Sequence, residues 1–543
     1  LSRQQIRFKN LKNTTKLFRD FIYKEESLSR WLHTDFRKAE SCRETMRRLL
    51  DVDYRRNRLA DILTDQNREF GASEKVFENI EKMRNENALC SVTGHQVGLL
   101  GGQMMIFYKA LTAIKSAEKL TNELNHPVVP LFWMATDDHD LDEVDHIHLP
   151  VKDGSLQKIV YEPTQPISNI PMSHVQLDGN IRIFLDEVHS ALDESEFKDD
   201  LLDNLSRCHA DGEMIFTAFA KCFQRWFGDY GVIVVNPADP QLREMSKEIF
   251  KKEITGAMEV RSAIGKSNES LKQVGYHLQV IRDNAYTNLF VNKGIRTRVE
   301  FAGGQFVIEG ETDSMTEEAL LSRVDSSPDL FSPNVLLRPI VQSKLFPTIL
   351  YAGGPAEIAY FSQISGLFDF FGVVPPIVRP RISATIIEPR YRRFIERHDI
   401  EISRLATRDD REMYLTEIMK ARFPDGMNES MEQIQRRIAG ALEDLRHLVE
   451  YDGNLVRTLD KTVRKIDYEI NEFKGKVFKA FKKEQDELSR KFRMCAEQLF
   501  PEQSLQERHY SFVYFASKYG PGIVNTLYTE LDIDEVEHQM VYL

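Results

Sequence analysis

Cysteine is scarce in this chain. Five occur in 543 residues (Cys42, Cys90, Cys208, Cys222 and Cys495), odd in number, far apart and never in C-x-x-C spacing. That excludes a disulfide framework and a cysteine zinc site, and it fits buried free thiols in a reducing, cytoplasmic compartment. Long hydrophobic runs are also missing. No stretch approaches the roughly 20 apolar residues that cross a bilayer, and the opening segment LSRQQIRFKNLKN carries no apolar signal core. Nor is there an excess of positive charge. The 72 basic and 84 acidic residues leave a net charge of -12, which argues against nucleic acid as the main partner, because such binding rests on neutralising phosphates. A local basic patch remains compatible with that balance. Neither G-x-G-x-x-G nor a glycine-rich loop ending in G-K-[ST] is present, so the dinucleotide fingerprint and the P-loop are excluded.

What is present is enough apolar sequence, 42%, for a substantial core in two to four domains. Residues 1–84 are charged with helical spacing. ALCSVTG (88–94) reads as a strand, 103–122 as a helix and HPVVPLFWMA (126–135) as a buried strand. Strand, glycine loop, helix and strand in that order predict parallel strands joined by a right-handed crossover. The pattern returns at 211–261 and 334–390, giving a Rossmann-like, doubly wound parallel sheet of about five strands in three parts (85–150, 211–261, 334–390). Two insertions interrupt it: 151–210, polar with a helix near 196–206, and 262–333, whose short alternating runs predict antiparallel strands. From 391 to 500 the chain is helical. Leu455, Leu459, Val463, Ile466, Ile470, Phe473, Val477 and Phe481 step by three and four, and a similar stripe runs from Met431 to Leu448. Joined through EYDGNL, the two predict an antiparallel α-helical coiled coil with apolar surface to spare for a homodimer. A segment 501–543 ends the chain.

The loop SVTGHQVGLLGGQ (91–103) sits where doubly wound sheets bind ligands, at the carboxyl end of a first strand. Gly94, Gly98, Gly101 and Gly102 would let backbone N–H groups approach an anion. His95 can contact a ligand, and Lys109, two turns into the helix, can reach back to a carboxylate or phosphate. The second strand ends in WMATDDHDLDEVDHIH, whose carboxylates surround His139, His146 and His148. Such a group can orient an amine, supply a base, or hold Mg2+ through one or two carboxylates. No HExxH or cysteine ligand accompanies it, so no metal ligand is assigned. A third group, Arg338, Gln342, the Gly353-Gly354-Pro355 turn, Glu357 and Tyr360, falls near another strand end.

TGHQVGLLGGQMMIFYKALTAIK, PLFWMATDDHDLDEVDHI, RPIVQSKLFPTILYAGGPAEIAYFSQI and the tail YGPGIV…HQMVYL resemble, in the same order, the bacillithiol biosynthesis cysteine-adding enzymes. The resemblance spans nearly the whole chain. It implies a ligase that joins cysteine to the amine of glucosaminyl-malate, on a Rossmann-type core with two connecting insertions and a dimerising coiled coil. Carried over position by position, it marks Gly94, Gln96, Gly98, Leu99 and Lys109, then Asp138, His139, Asp140 and Glu143, then Arg338, Pro339, Gly354, Pro355 and Glu357. Where the family loop often reads Gly-Gln-Gln, this chain has Gly94-His95-Gln96. An essential imidazole would not exchange with an amide, so His95 is expected to hold a ligand rather than move a proton.

Amide formation from a free carboxylate needs activation, so an ATP- or ADP-type nucleotide, with Mg2+ as an option, is the expected cofactor. Class I synthetases adenylate on this type of core, although their HxGH and KMSKS signatures are absent here. The expected catalytic residues are His139, accepting the amine proton, with Asp138 and Asp140 binding the ammonium. Gly94, His95, Gln96, Gly98, Lys109, Glu143, Arg338, Gln342, Gly354 and Glu357 are the expected substrate contacts. A separate nucleotide site is expected where Tyr510 and Tyr514, one helical turn apart, meet Ser383 and Thr385 of RPRISATII. The partners expected are small molecules and a second copy of the chain, with no nucleic acid or membrane. The competing readings are a nucleotidyl- or glycosyl-transferase on the same core, and a non-catalytic coiled-coil scaffold.

Overall fold

The computed structural model describes residues 4–543 except 12–13, 25–26, 33, 152–153, 284 and 423–425. The chain divides into two compact units, one made of 1–389 with 504–543 and the other of 390–503.

The first unit is built on five parallel strands: β1 (Leu89–His95), β2 (Val128–Met134), β3 (Ile233–Val235), β4 (Thr348–Gly353) and β5 (Ile377–Pro380), in the order β5-β4-β1-β2-β3. Their sequences, such as VVPLFWM and TILYAG, are apolar without alternation because both faces are covered. From β1 the chain steps through β2 to β3 on one side, then returns to place β4 and β5 on the other. The order therefore reverses between β1 and β4, and a crevice opens beyond their carboxyl ends. Register keeps those ends level: Gly94 of β1 lies opposite Trp133 of β2, and Val92 lies opposite Tyr351 of β4.

Four helices frame that edge: α1 (Met104–Leu124), α2 (Ile215–Phe227), α3 (Arg338–Leu345) and α4 (Pro355–Gln363). The first half of α1 is buried almost all round, since the C-terminal segment covers the side that the sheet does not. Phe107 of α1 stacks on Phe512 at 4.1 Å between ring centroids. Ser383–Ile387 (β6) pairs in parallel with His538–Tyr542 (β7), which pairs antiparallel with Gln5–Ile6, so the two chain ends join one small sheet.

The first insertion supplies Leu156–Val160, which forms a hairpin with His146–Pro150 just before it, and two helices, Ile181–Ala191 and Lys198–Cys208. The second holds the expected antiparallel strands and helices besides. A helix, Ala257–Gln273, occupies its first part, burying Val260, Ile264, Ser267 and Leu271 at helical spacing. The four antiparallel strands begin only at Tyr286.

The second unit is dominated by α5 (Met427–Val449) and α6 (Gly453–Leu499). Asp452 caps α6, its carboxylate accepting from the Asn454 N–H at 2.7 Å. The helices run antiparallel: Gln435 Nε2 donates to Asn471 Oδ1 at 3.1 Å and Arg446 pairs with Asp460, both pairs equidistant from Gly453. One hairpin does not cover all of its apolar side chains. Leu448 is 69%, Tyr468 63% and Phe473 57% exposed. Among the described residues, no helix is long and apolar enough to cross a membrane.

Candidate active site

Beyond β1 and β4 lies a crevice of about 320 Å³, within the range of small-molecule sites. Its floor is an ion pair that ties two helices across the sheet. Lys109 is the sixth residue of α1, and its side chain leans toward the helix start, as helical side chains do. It donates to the Gly94 carbonyl at 2.7 Å and meets Glu357 Oε2 at 2.7 Å. Glu357 belongs to the first turn of α4 and reaches back to accept the Gly354 N–H at 2.8 Å, while its other oxygen accepts from the Tyr351 hydroxyl. Burial would raise this carboxyl, yet Lys109 and the hydrogen-bond donors hold it below the ordinary range. Burial lowers the Lys109 ammonium against the pull of Glu357. The two groups satisfy one another across the 2.7 Å contact.

Two further cations lack such partners. Arg338 opens α3 and donates to Gln342 Oε1 (3.0 Å), the Tyr360 hydroxyl (2.6 Å) and the Tyr351 hydroxyl (3.2 Å), all uncharged acceptors. Burial opposes its charge, but these phenols and Glu357 hold the guanidinium ionised. Arg508 lines the crevice with no side-chain hydrogen bond or ion pair to any described residue. Arg381, a further lining residue, is neutralised by Glu507 at 2.6 Å. The crevice thus carries two cations more than it has anions. His95 completes the wall. Its Nδ1 is buried without a hydrogen-bond partner, and burial beside Lys109 lowers its pKa to about 3. As a neutral imidazole it has one donor and one acceptor nitrogen, and its unpartnered Nδ1 can serve a ligand.

The acidic loop after β2 joins this wall through Gln96, whose Nε2 donates to Asp138 Oδ2 at 2.7 Å and also to Glu143. The loop is pinned from three sides. Arg243, 1% exposed, pairs with Asp137. The first insertion donates Met172 N–H to the Asp138 carbonyl and Ser173 N–H to the Thr136 carbonyl, at 2.8 and 2.9 Å. The second insertion brings Arg296, stacked on Phe290 at 4.0 Å, to 3.4 Å from His139 Nδ1. A guanidinium only donates, so Nδ1 accepts and neutral His139 carries its proton on Nε2. Burial and Arg296 both lower the His139 pKa and keep it neutral.

Of the expected residues, Gly94, His95, Gln96, Lys109, Arg338, Gly354 and Glu357 line one crevice. Asp138 and Glu143 hydrogen-bond to its wall, and Gln342, fully buried, supports Arg338 from behind. His139 and exposed Asp140 follow on the acidic loop, outside the lining.

Two expectations need correction. The second half of the glycine loop is not an open anion cradle, because at residues 99–102 the chain itself takes the donors. Leu99 N–H donates to the Val144 carbonyl, Leu100 N–H to His209 Nε2, Gly102 N–H to the Leu99 carbonyl and Met104 N–H to the Tyr510 carbonyl. Gly98 stands outside the lining. A Cβ at Gly94 would lie 2.7 Å from the Trp133 carbonyl oxygen, and one at Gly101 (φ +82) would strike the Trp226 ring, so these glycines serve close packing. The second correction concerns Ser383, Thr385, Tyr510 and Tyr514. Ser383 donates to Glu507 at 3.0 Å and meets His538 Nδ1 at 2.7 Å, and Thr385 meets His538 Nε2 at 2.8 Å. Tyr510 and Tyr514 are 0% and 5% exposed and pack edge to face at 5.8 Å. Neither pair offers a face to an adenine.

Arg381, Arg508, Tyr351, Trp133 and Arg296 are site residues that sequence reasoning did not assign. Tyr351 and Trp133 lie in strands already aimed at the crevice, and that placement was a usable signal. Arg296 and Arg508 arrive from an insertion and from the C-terminal return, and no local spacing announces them. Among the described residues, no cluster of three His, Cys, Asp or Glu side chains has metal-holding geometry.

A parallel sheet with a ligand crevice at its switch point, two insertions and a helical hairpin define a Rossmann-type α/β protein with an appended coiled coil. Two family models match the chain: "Bacillithiol biosynthesis BshC, N-terminal Rossmann-like domain" over residues 3–382 and "Bacillithiol biosynthesis BshC, C-terminal coiled-coil domain" over 384–543. The chain belongs to the bacillithiol biosynthesis BshC family. Relatives named "Putative cysteine ligase BshC" include those of Koribacter versatilis, 32% identical over 475 residues (87% of each chain), and Chlorobaculum tepidum, 30% identical over 535 residues (95% of this chain, 94% of that one). That of Geobacillus thermodenitrificans is 30% identical over 556 residues, covering 99% of this chain and 100% of its own.

Proposed function

We propose that this protein is a ligase of bacillithiol biosynthesis, forming the amide bond between the cysteine carboxyl carbon and the amine nitrogen of glucosaminyl-malate. The observation that carries this reading is the crevice's surplus of two guanidinium charges, Arg338 and Arg508, beside a carboxylate loop. Carboxylates of the substrates suit the cations, and an amine suits Asp138 and Glu143. A nucleoside triphosphate would supply the activation of the cysteine carboxyl group. The free guanidinium of Arg508 fits a phosphate or a carboxylate equally well, whereas Ser383, Thr385, Tyr510 and Tyr514 do not fit a nucleotide. The Lys109–Glu357 pair holds α1 and α4 at a fixed spacing, and the Nδ1 of His95 hydrogen-bonds a substrate.

As the C–N bond forms, the C–O bond between the activated carboxyl carbon and its phosphate or AMP leaving group breaks, that group departs with the electron pair, and the amine nitrogen loses a proton. Asp138, oriented by Gln96, is the proposed acceptor in place of the expected His139, whose Nδ1 already accepts from Arg296. His139, with Nδ1 facing Arg296, donates from Nε2 and stabilises negative charge nearby. The uncovered apolar side chains of α5 and α6 support a homodimer, to be checked by sedimentation of F473E. The test of the activity is incubation of the purified protein with ATP, cysteine and glucosaminyl-malate. Mass-spectrometric detection of the amide, with matching release of AMP or ADP, supports the ligase. Nucleotide turnover that transfers a nucleotidyl group without an amide would replace it. No turnover by the chain, with thiol levels in cells surviving Asp138→Asn but not loss of α5 and α6, would favour the scaffold.

A further inference from the structure

A second cationic pocket lies at the opposite, amino-terminal edge of the sheet, where residues 87 and 88 lead into β1. It has a volume of about 470 Å³ and four arginines in its wall: Arg55, Arg56, Arg58 and Arg84. In a chain with a net charge of -12, that grouping runs against the overall balance. Two of the four are committed. Arg56 donates to the Met83 and Ala88 carbonyls at 3.2 and 2.8 Å, and Arg84 pairs with Asp61 at 2.8 Å and Glu81 at 3.1 Å. Arg55 and Arg58 make no side-chain hydrogen bond or ion pair with any described residue.

The same wall holds the start of a 14-residue helix, Arg56–Glu69. Its N-cap is Arg55, in the left-handed region (φ 49), with no side chain accepting from the first-turn amides. Ser, Thr, Asp or Asn would ordinarily stand there. An uncapped helix start presents donors and a positive dipole end toward the pocket. One further observation is independent of the helix. Tyr54 lines the pocket and is 3% exposed, yet its hydroxyl bonds to no described residue. The only carboxylate in the wall, Asp53, accepts the Arg55 N–H at 2.9 Å.

We propose that this pocket binds a small phosphate-bearing anion, held by Arg55, Arg58, the Tyr54 hydroxyl and the amides that open the helix, separately from the crevice. The proposal does not depend on the ligase reading. The test uses the full chain at low ionic strength with inorganic pyrophosphate, inorganic phosphate and ATP as separate probes, followed by amide hydrogen exchange and calorimetry. Pyrophosphate is expected to slow exchange over residues 54–60. Arg58→Gln should weaken binding about 10-fold, or ~1.4 kcal/mol. Tyr54→Phe, which keeps the ring and the packing, should weaken it several-fold. Arg55→Asn tolerates the backbone conformation and supplies its own cap, so it should abolish the exchange protection while leaving the helix at least as stable. If free phosphate protects the segment as ATP does, the phosphoryl group alone is read. If ATP alone protects it, a nucleotide is the ligand. Protection confined to the crevice residues, or none from any of the three probes, would overturn the proposal.

Discussion

Two glutamates, buried Glu507 and half-buried Glu357, organise neighbouring polar clusters; both clusters reach the crevice, the first through Arg381, but only the second leaves capacity open to it. Each carboxylate is held by a basic residue and by backbone and hydroxyl donors: Lys109, Gly354 N–H and Tyr351 for Glu357, and Arg381, Ala384 N–H and Ser383 for Glu507. Around Glu507 the nearby groups are closed on one another, with His538 completing the ring between Ser383 and Thr385. Around Glu357 the pair is likewise complete, but Arg338, Arg508 and the Nδ1 of His95 remain with charge or hydrogen-bonding capacity unanswered by the chain. The comparison teaches that burial and ionisation alone do not mark a site. What marks it is the capacity left over after the protein has satisfied itself.

Removing Glu507 should therefore have the largest effect, and it should fall on stability. Glu507→Gln leaves Arg381 buried with its charge uncompensated. Breaking one side of a buried pair costs about 3–5 kcal/mol, and urea unfolding should show a loss of that order. Arg508→Ala should behave in the opposite manner. With no partner to abandon, the chain should unfold within about 0.5 kcal/mol of the parent. The loss of a charge-assisted contact worth about 1.5–3 kcal/mol should lower kcat/KM for amide formation about 10- to 100-fold. A variant that loses several kcal/mol of stability at 508, or a fully stable one at 507, would dissolve the distinction.

Much of this was legible before the structure. The alternation of strand, glycine loop and helix gave the sheet, because parallel strands must be apolar on both faces and must be joined by helices. The three motifs at strand ends pointed to one edge, and the residues around 95, 138, 338 and 354 do meet there. What was not legible is which polar groups the chain uses for itself. The glycines of 94–102 read equally well as an anion cradle or as packing, and Trp133, Trp226 and the Tyr510 carbonyl decide in favour of packing. Ser383 and Thr385 look like ligand contacts until His538, more than 150 positions later, lies beside them. Arg296 and Arg508 could not be assigned, since their place depends on long-range docking rather than on any periodicity near them.

Acid should separate the same two kinds of group. His95 is held neutral, its Nδ1 buried and its folded pKa lowered to about 3 from an ordinary 6.5. The unfolded chain therefore binds a proton below about pH 6.5 that the folded chain refuses, and stability should fall as pH drops from there toward 3. The slope contributed by one such group is at most ~1.4 kcal/mol per pH unit. His95→Gln keeps a polar side chain without the titration, so its urea midpoint should fall less between pH 7 and pH 5 than the parent's. Glu357 acts lower on the scale. Its folded pKa is depressed, so its contribution is present above the ordinary glutamate range and is lost only as pH falls through the lowered value. Equal acid sensitivity of the parent and His95→Gln between pH 7 and 5 would mean that His95 is not held neutral.

The smallest expected effect is at Tyr514, and it bears on where a nucleotide sits. Its hydroxyl donates to Glu388 Oε2 at 3.2 Å, and its ring packs against Tyr510 and Phe515 inside the core. Tyr514→Phe keeps the ring and removes two hydrogen bonds, one to Glu388, which Lys518 and Tyr519 also serve, and one from Lys518 Nζ at 3.3 Å. Stability should drop by about 1–2 kcal/mol, and ATP affinity should change less than about twofold, or 0.4 kcal/mol. A stacking tyrosine would also tolerate this change, so Ser383→Ala is the sharper companion. It should destabilise through Glu507 and His538 while again leaving nucleotide affinity alone. A drop in ATP affinity in Ser383→Ala, at unchanged stability, would show that the closed cluster around Glu507 opens to a ligand, and the contrast with the crevice would then fail.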